Sequence, residues 1–147
     1  MMAYLFDTNH CIYLMNAWNA PEEKLSPQER NTVVAFNRMR NEVIYMSEAS
    51  VGELWYGIDR SQRQAYNRTR LRILLLAVPP VPVTRGVWEI YGHTKAELSK
   101  VGKIIPDIDL LIASTAQCYQ MILIANDKHM KHLPPSFVWK NWAAAQY

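Results

Sequence analysis

Apolar and polar positions follow two rhythms along this chain. Short runs at Ala3-Tyr4-Leu5-Phe6, Glu42-Val43-Ile44-Tyr45-Met46, Val81-Pro82-Val83, Met121-Ile122-Leu123-Ile124-Ala125 and Phe137-Val138-Trp139 have the length and β-former content of strands. Pro82 cannot donate to a ladder, so its strand belongs at an edge. Between these runs, apolar residues recur every three or four positions, the spacing of helices that bury one face. Cys11, Ile12, Leu14, Met15 and Trp18 mark the first such helix. Ser26-Pro27 with Glu29 starts a second, running through Val33, Val34, Phe36 and Met39. This pair is predicted to form an arm with a contact surface. Ser47 caps a third helix, through Ala49, Val51, Leu54, Trp55 and Ile58. A fourth carries Leu71, Leu74, Leu75 and Val78, and a fifth spans Arg85 to Val101. Pro106 stops one segment, and Asp107 is predicted to cap the last helix, which continues through Ile112, Ala113 and Ala116.

Strands alternating with helices predict a three-layer α/β/α domain around a mainly parallel sheet. The 147 residues, half of them apolar, suit one compact domain spanning 1–147. No run approaches the roughly 20 apolar residues of a membrane span, and the opening lacks the basic, apolar, small-residue order of a secretion signal. The expectation is a soluble, cytoplasmic protein with no membrane partner. Cys11 and Cys118 both lie in apolar segments and read as buried free thiols, not as a disulfide or zinc site. A net charge of +3 and a pI near 8.9 fit a nucleic-acid partner without requiring one.

Acids recur in one structural role. The first strand stops at Asp7, and the strand 121–125 stops at Asn126-Asp127. In a parallel sheet such residues reach the C-terminal edge, where ligands bind. Asp7 also suits a helix N-cap. Glu53 shares its helix face with Ala49, Ser50, Tyr56 and Gly57, small enough neighbours on most sides to admit a ligand, although an ordinary surface acid has the same spacing. Asp109 falls in the first turn of its helix, on the face directed at the sheet. If Asp7, Glu53, Asp109 and Asp127 converge, ionised neighbours about 5 Å apart repel by ~3 kcal/mol at an effective dielectric near 20. Such a set binds protons or hard divalent cations, and oxygen-only ligands suit Mg²⁺ or Mn²⁺ over zinc.

Arg68 and Arg72 form a basic stripe that phosphate binding and a solvated helix face explain equally well. Lys103 and Lys128 lie nearer the acids in sequence and are candidates for binding backbone phosphates. His129 and His132 have metal-pair spacing but no third nitrogen or sulfur ligand nearby, and read as surface residues. The five tryptophans read as core or interface.

The Asp7-Thr8-Asn9 opening, Ser47-x-x-Ser50-x-x-Glu53-Leu54-x-x-Gly57, Pro106-Asp107-Ile108-Asp109-Leu110-Leu111-Ile112-Ala113 and Ile124-Ala125-Asn126-Asp127 together resemble the PIN domain family, and are most similar to its VapC-type ribonuclease toxins. The resemblance runs from Leu5 to Trp142 in the family's order. It implies a Mg²⁺-dependent endoribonuclease, with Mn²⁺ as substitute, whose catalytic and metal-binding acids are Asp7, Glu53, Asp109 and Asp127. It further implies an Asn9 that orients the first acid, a cognate antitoxin and a homodimer. The chain departs from the family at Ala125, where Thr or Ser is frequent. Asp107 is an added acid that either caps its helix or touches metal in place of Asp127. Cleavage by an activated water would leave 3′-hydroxyl and 5′-phosphate ends.

Two rivals stand beside this expectation. A phosphatase of the haloacid dehalogenase type needs a second acid two residues after the first, and Asn9 stands there. A catalytically silent PIN-fold module that binds RNA or protein would not need four intact acids.

Overall fold

The computed structural model describes residues 2–18, 20–39, 41–126 and 128–144. Strand β1 (Ala3–Phe6) leads into helix α1 (Thr8–Ala17) and, past a short turn, α2 (Pro27–Arg38). Then come β2 (Val43–Ser47), α3 (Glu48–Asp59), α4 (Gln64–Ala77), β3 (Pro80–Val81), α5 (Arg85–Lys100), α6 (Asp107–Cys118), β4 (Ile122–Ile124) and β5 (Trp139–Lys140). The strands form one sheet in the order β3-β2-β1-β4-β5, and every pairing is parallel. β3 and β5 lie at the edges. The first is an edge strand as expected, but it covers Pro80–Val81 with Pro82 beyond its end, and the last is Trp139–Lys140 where the sequence predicts 137–139.

Side chains alternate across the pleat, and that alternation builds two cores. Tyr4 and Phe6 of β1, Ile44 and Met46 of β2, and Ile122 and Ile124 of β4 face α1–α4. Leu5, Leu123 and Ala125 face α5 and α6 on the other side. β1 is therefore wrapped on both faces, which is why its sequence is apolar throughout. Trp142 closes the first core from the end of the chain, its ring 5.2 Å from Tyr4 and edge-on to Phe6 at 5.5 Å. Cys11 is buried there, and burial, reinforced by the charge of Asp7, pushes its thiol pKa well up. Cys118 is half-buried and free.

The predicted arm does not project. Cys11, Leu14 and Met15 of α1 enter the core while Ile12 stays exposed, and α2 lies against the core with Thr32 and Ala35 buried and the Phe36 ring 6.3 Å from that of Phe6. The apolar stripe read as a contact surface is the face each helix buries. A capping box starts α2, with Glu29 N–H donating to Ser26 Oγ at 3.1 Å and Ser26 N–H to Glu29 Oε1 at 2.9 Å. At the other end of α1, Arg70 donates to the Met15 carbonyl and, at 3.1 Å, to Asn16 Oδ1. Those contacts occupy a helix C-terminus that has no glycine cap.

The last helix starts differently from the sequence expectation. Gly102 (φ 69°) turns the chain out of α5, its N–H donating to the Ser99 carbonyl at 3.2 Å while Lys103 N–H reaches Leu98 at 2.9 Å. Pro106 takes the N-cap position of α6, and Asp107 is its first helical residue, with no side-chain cap bond at the helix start. The Asp107 carboxylate is drawn across to α5 instead, accepting from Lys95 Nζ at 2.8 Å and Tyr91 Oη at 2.9 Å. A bond to an ammonium is stronger than a neutral cap bond, so the lysine wins the carboxylate. Those hydrogen bonds hold the Asp107 carboxyl below, and the Lys95 ammonium above, the ordinary values.

A depressed carboxyl contributes stability above its unfolded pKa of about 3.9 and loses it as pH falls through the lower folded value. Lys95→Met is expected to lower the urea midpoint slightly at neutral pH, the pair being exposed. By about pH 2 the difference from the parent should vanish, and persistence of the gap there would show that the lysine acts through packing.

Candidate active site

Asp7 sits where β1 meets α1, at the centre of the C-terminal edge of the sheet. The chain leaves β1 towards β2 on one side and later places β4 on the other, so this edge is the topological switch point where parallel sheets open a crevice. Asp7 is only 6% exposed. It serves as the N-cap of α1, its Oδ1 accepting from the His10 backbone N–H at 2.8 Å. The same oxygen lies 2.8 Å from His10 Nδ1. The cap and the candidate ligand are therefore one residue, with both bonds on one oxygen. His10 itself is fully buried, packed against the Phe6 and Tyr13 rings, and its Nε2 has no hydrogen-bond partner.

Glu53 comes from the second turn of α3 and is half-buried, not solvated. Thr8 Oγ1, at the start of α1, donates to Glu53 Oε1 at 2.5 Å and lies 3.1 Å from Ser50 Oγ. That places the hydroxyls of the Ser-x-x-Ser-x-x-Glu segment in defined roles. Ser50 meets Thr8, while Ser47 caps α3 by accepting from Ala49 N–H at 3.1 Å. Ser47 Oγ also bonds Thr115 Oγ1 at 3.1 Å, and Thr115 donates to the Leu111 carbonyl at 2.8 Å. Ser47 and Thr115 are fully buried, so this polar chain fixes α3 against α6, which carries Asp109 in its first turn.

Asp7, Glu53 and Asp109 line one cavity of about 230 Å³, together with Thr8, Asn9, Ile12 and Tyr56. Among the described residues, no lysine or arginine lines it. Asp127 lies outside the described residues. Asn126, before it in sequence, donates to Tyr13 Oη at 2.8 Å and accepts from Asn9 Nδ2 at 3.4 Å. Among the described residues, then, Asn9 reaches Asn126, and the groups on the Asp7 carboxylate belong to His10. Asp107 does not line the cavity; its carboxylate is held by Lys95 on the outer side of α6.

The donor set fits a hard divalent cation in kind, being carboxylates with hydroxyl and amide neighbours. It is not drawn tightly around one. Among the described residues no three His, Cys, Asp or Glu groups stand as a ready cation cage, and Glu53 is turned onto Thr8.

The basic candidates lie elsewhere. Arg68 pairs with Asp59 at 3.7 Å and Gln64 at 3.1 Å, and Arg72 is exposed on the same helix. Lys103 is exposed beside the Lys95–Asp107 pair, on a separate cavity of about 310 Å³, and Lys128 is exposed at the start of the turn Lys128–His132. Nearer the acids is a group the sequence reading passed over. Tyr56, 64% exposed, forms part of the cavity wall and accepts from Arg60 Nη1 at 2.9 Å. Beyond it the Arg63 guanidinium lies 4.0 Å from the Tyr66 ring centroid. His10 was also missed, and the signal was its place three residues after Asp7, on the same face of the helix.

The PIN domain family model matches residues 4–134. Ribonuclease VapC2 of Rickettsia felis is 31% identical over 142 residues, which are 96% of this chain and 98% of that protein. Ribonuclease VapC2 of Haemophilus influenzae is 31% identical over 132 residues, 86% of this chain and 88% of that protein. Among solved structures, VapBC2 from Rickettsia felis bound to a DNA fragment from its promoter superposes with a TM-score of 0.79 at 29% identity, covering 96% of this chain and 99% of that one. With its parallel sheet, its acids at the C-terminal edge and this match over nearly its whole length, the chain belongs to the PIN domain family and stands among the VapC-type members.

Proposed function

We propose that this chain is a divalent-cation-dependent endoribonuclease and the toxin of a toxin–antitoxin pair, acting as a single domain. The observation that carries the reading is the cavity itself. Asp7, Glu53 and Asp109 are far apart in sequence, and folding brings all three to one wall at the sheet's C-terminal edge. Relatives named ribonuclease VapC2 over nearly the whole length support the chemistry.

A bound Mg²⁺ or Mn²⁺ would supply charge for a scissile phosphate and a water acidic enough to attack at neutral pH. Asp7, Glu53 and Asp109 would hold it, with Asp127 as a fourth acid. Thr8 presents Glu53, and the buried Ser47–Thr115 link keeps Glu53 and Asp109 at a fixed spacing. Attack of water on phosphorus would break the P–O3′ bond, the proton lost by the water being balanced by one gained at O3′, and the RNA 2′-hydroxyl would take no part. The ends are 3′-hydroxyl and 5′-phosphate. Of the basic residues, Arg68, Arg72, Lys103 and Lys128 hold the strand at a distance from the acids. Arg60 and the Tyr56 ring stand at the cavity mouth, where a phosphate and a base flanking the cut would lie.

An antitoxin that places an Arg or Lys in the acidic cavity would silence the enzyme by charge-assisted bonds to the same carboxylates. The VapBC2 assembly of Rickettsia felis supports such a partner, and we include a homodimer in the proposal.

Asp7→Asn keeps a good N-cap, because Asn caps as well as Asp, so the fold should survive. Its RNA cleavage should fall by about a hundredfold or more, and EDTA should abolish the parent's activity until Mg²⁺ or Mn²⁺ is restored. Equal activity in the variant would assign the cleavage to a contaminant, and a cyclic 2′,3′-phosphate end would refute the hydrolytic route. In the Asp7→Asn background, adding Tyr56→Ala should weaken single-stranded RNA binding about tenfold by fluorescence anisotropy, while Tyr56→Phe keeps it. Co-expression with the neighbouring small reading frame should yield a co-purifying, inactive complex. Size exclusion of the chain alone at several concentrations tests the dimer.

A further inference from the structure

We propose that His10 is a positioning residue for cation binding: as its Nδ1–H tautomer it holds Oδ1 of Asp7 and leaves the second carboxylate oxygen to meet the ion. This rests on the reading of the acidic cavity as a cation site.

The geometry assigns the tautomer. Asp7 Oδ1, 2.8 Å from His10 Nδ1, belongs to a group that only accepts when ionised, so the proton of that bond is on Nδ1. Nε2 is buried with no hydrogen-bond partner among the described residues, and the His10 ring packs against those of Phe6 and Tyr13. A bare nitrogen lone pair is tolerated there more readily than an N–H with nothing to receive it, which agrees with the neutral ring.

The imidazole is not needed for the helix. The backbone N–H of His10 already satisfies the cap bond to Asp7 at 2.8 Å, and any residue at this position supplies it. The rings beside it are those of Phe6 and Tyr13, and a leucine would meet them without stranding a buried nitrogen. What the ring adds is a second bond to the same oxygen from a different direction. An aspartate at the end of a strand has a broad terminal torsion, and two bonds on one oxygen restrict it. An outer partner of this kind, rigid and dry, is how proteins hold a ligating carboxylate, and its loss costs about 10–100-fold in metal affinity.

The test is Mn²⁺ titration calorimetry on the full chain without RNA, comparing the parent with Asp7→Asn, His10→Leu and His10→Asn. Asparagine carries an N–H on its γ-carbon, as histidine does through Nδ1, so it can replace the bond. His10→Leu is expected to weaken Mn²⁺ binding about 10–100-fold, with His10→Asn remaining within about threefold of the parent. A purely structural role would move the unfolding midpoint and leave Mn²⁺ affinity unchanged in His10→Leu, and that result overturns the proposal. Equal weakening in both variants would also overturn it, because the donor would then not be the cause. If the parent binds no Mn²⁺, or binds it no better than Asp7→Asn does, the cation reading of the cavity falls first. Should His10→Leu not fold, ¹⁵N NMR of the parent's ring decides: a proton on Nε2 instead of Nδ1 sinks the proposal.

Discussion

Carboxylates gathered on one rim repel one another, and much of the local structure is arranged to hold them there regardless. Two ionised groups about 5 Å apart cost ~3 kcal/mol at an effective dielectric near 20, against a total stability of about 5–15 kcal/mol for a domain. The fold meets this with fixed donors. Asp7 lies at the positive end of α1 and takes two bonds from His10; Glu53 takes the Thr8 hydroxyl; Asp109 lies in the first turn of α6. Among the described residues, the donors to Asp7 and Glu53 are His10 and Thr8, not lysine or arginine. A full cation in the cavity would neutralise the acids permanently and leave no charge to bind a metal.

The same economy governs how the acids are carried. Each comes from the start of a helix or from early within one, and each helix is locked to its neighbour by buried polar contacts where hydrophobic packing alone would leave latitude. Apolar faces slide with small energetic cost, but the Ser47–Thr115 bond tolerates little displacement before a buried group is left unpaired, at about 1–3 kcal/mol, and the half-buried Thr8–Glu53 bond adds a second, weaker restraint. Position is therefore set by the polar chain and stability by the two cores. On the outer side of α6 the Lys95–Asp107 bond plays the same part with exposed groups, at far lower energetic stake.

The mainly parallel sheet was readable in the letters because strands buried on both faces must be largely apolar, and β1, β4 and β2 up to Ser47 are. An edge place for the third strand was legible in its prolines, although the strand that forms is Pro80–Val81 and Pro82 lies just past it. Asp7, Glu53 and Asp109 could be picked out because an acid within or at the end of an apolar pattern is costly and invites a reason. Asp107 misled for a physical cause: cap propensity is local, and the lysine that outbid the cap sits twelve residues away on another helix. The arm misled because an apolar stripe does not say which surface it will cover. His10 was passed over since a histidine in a helical apolar stretch carries no mark of its partner, and only folding showed that its ring reaches the preceding cap.

Arginine use on α3 and α4 separates structural from available charge in a way that sequence spacing could not. Arg70 is committed to the end of α1, and Arg68 is shared with Asp59. Arg60 and Arg63 lie instead against aromatic rings, Tyr56 and Tyr66, which orient a guanidinium without neutralising it. From Glu53 to Arg60 is seven helical residues, about 10 Å of rise, which is between one and two nucleotides of extended strand. Negative potential in the cavity and positive potential one helix-length away give this face a polarity. On the proposed reading, a phosphodiester chain would be repelled by the carboxylates unless a cation intervened and attracted at the arginine end in any case, so binding and cutting would be separable demands falling on different residues.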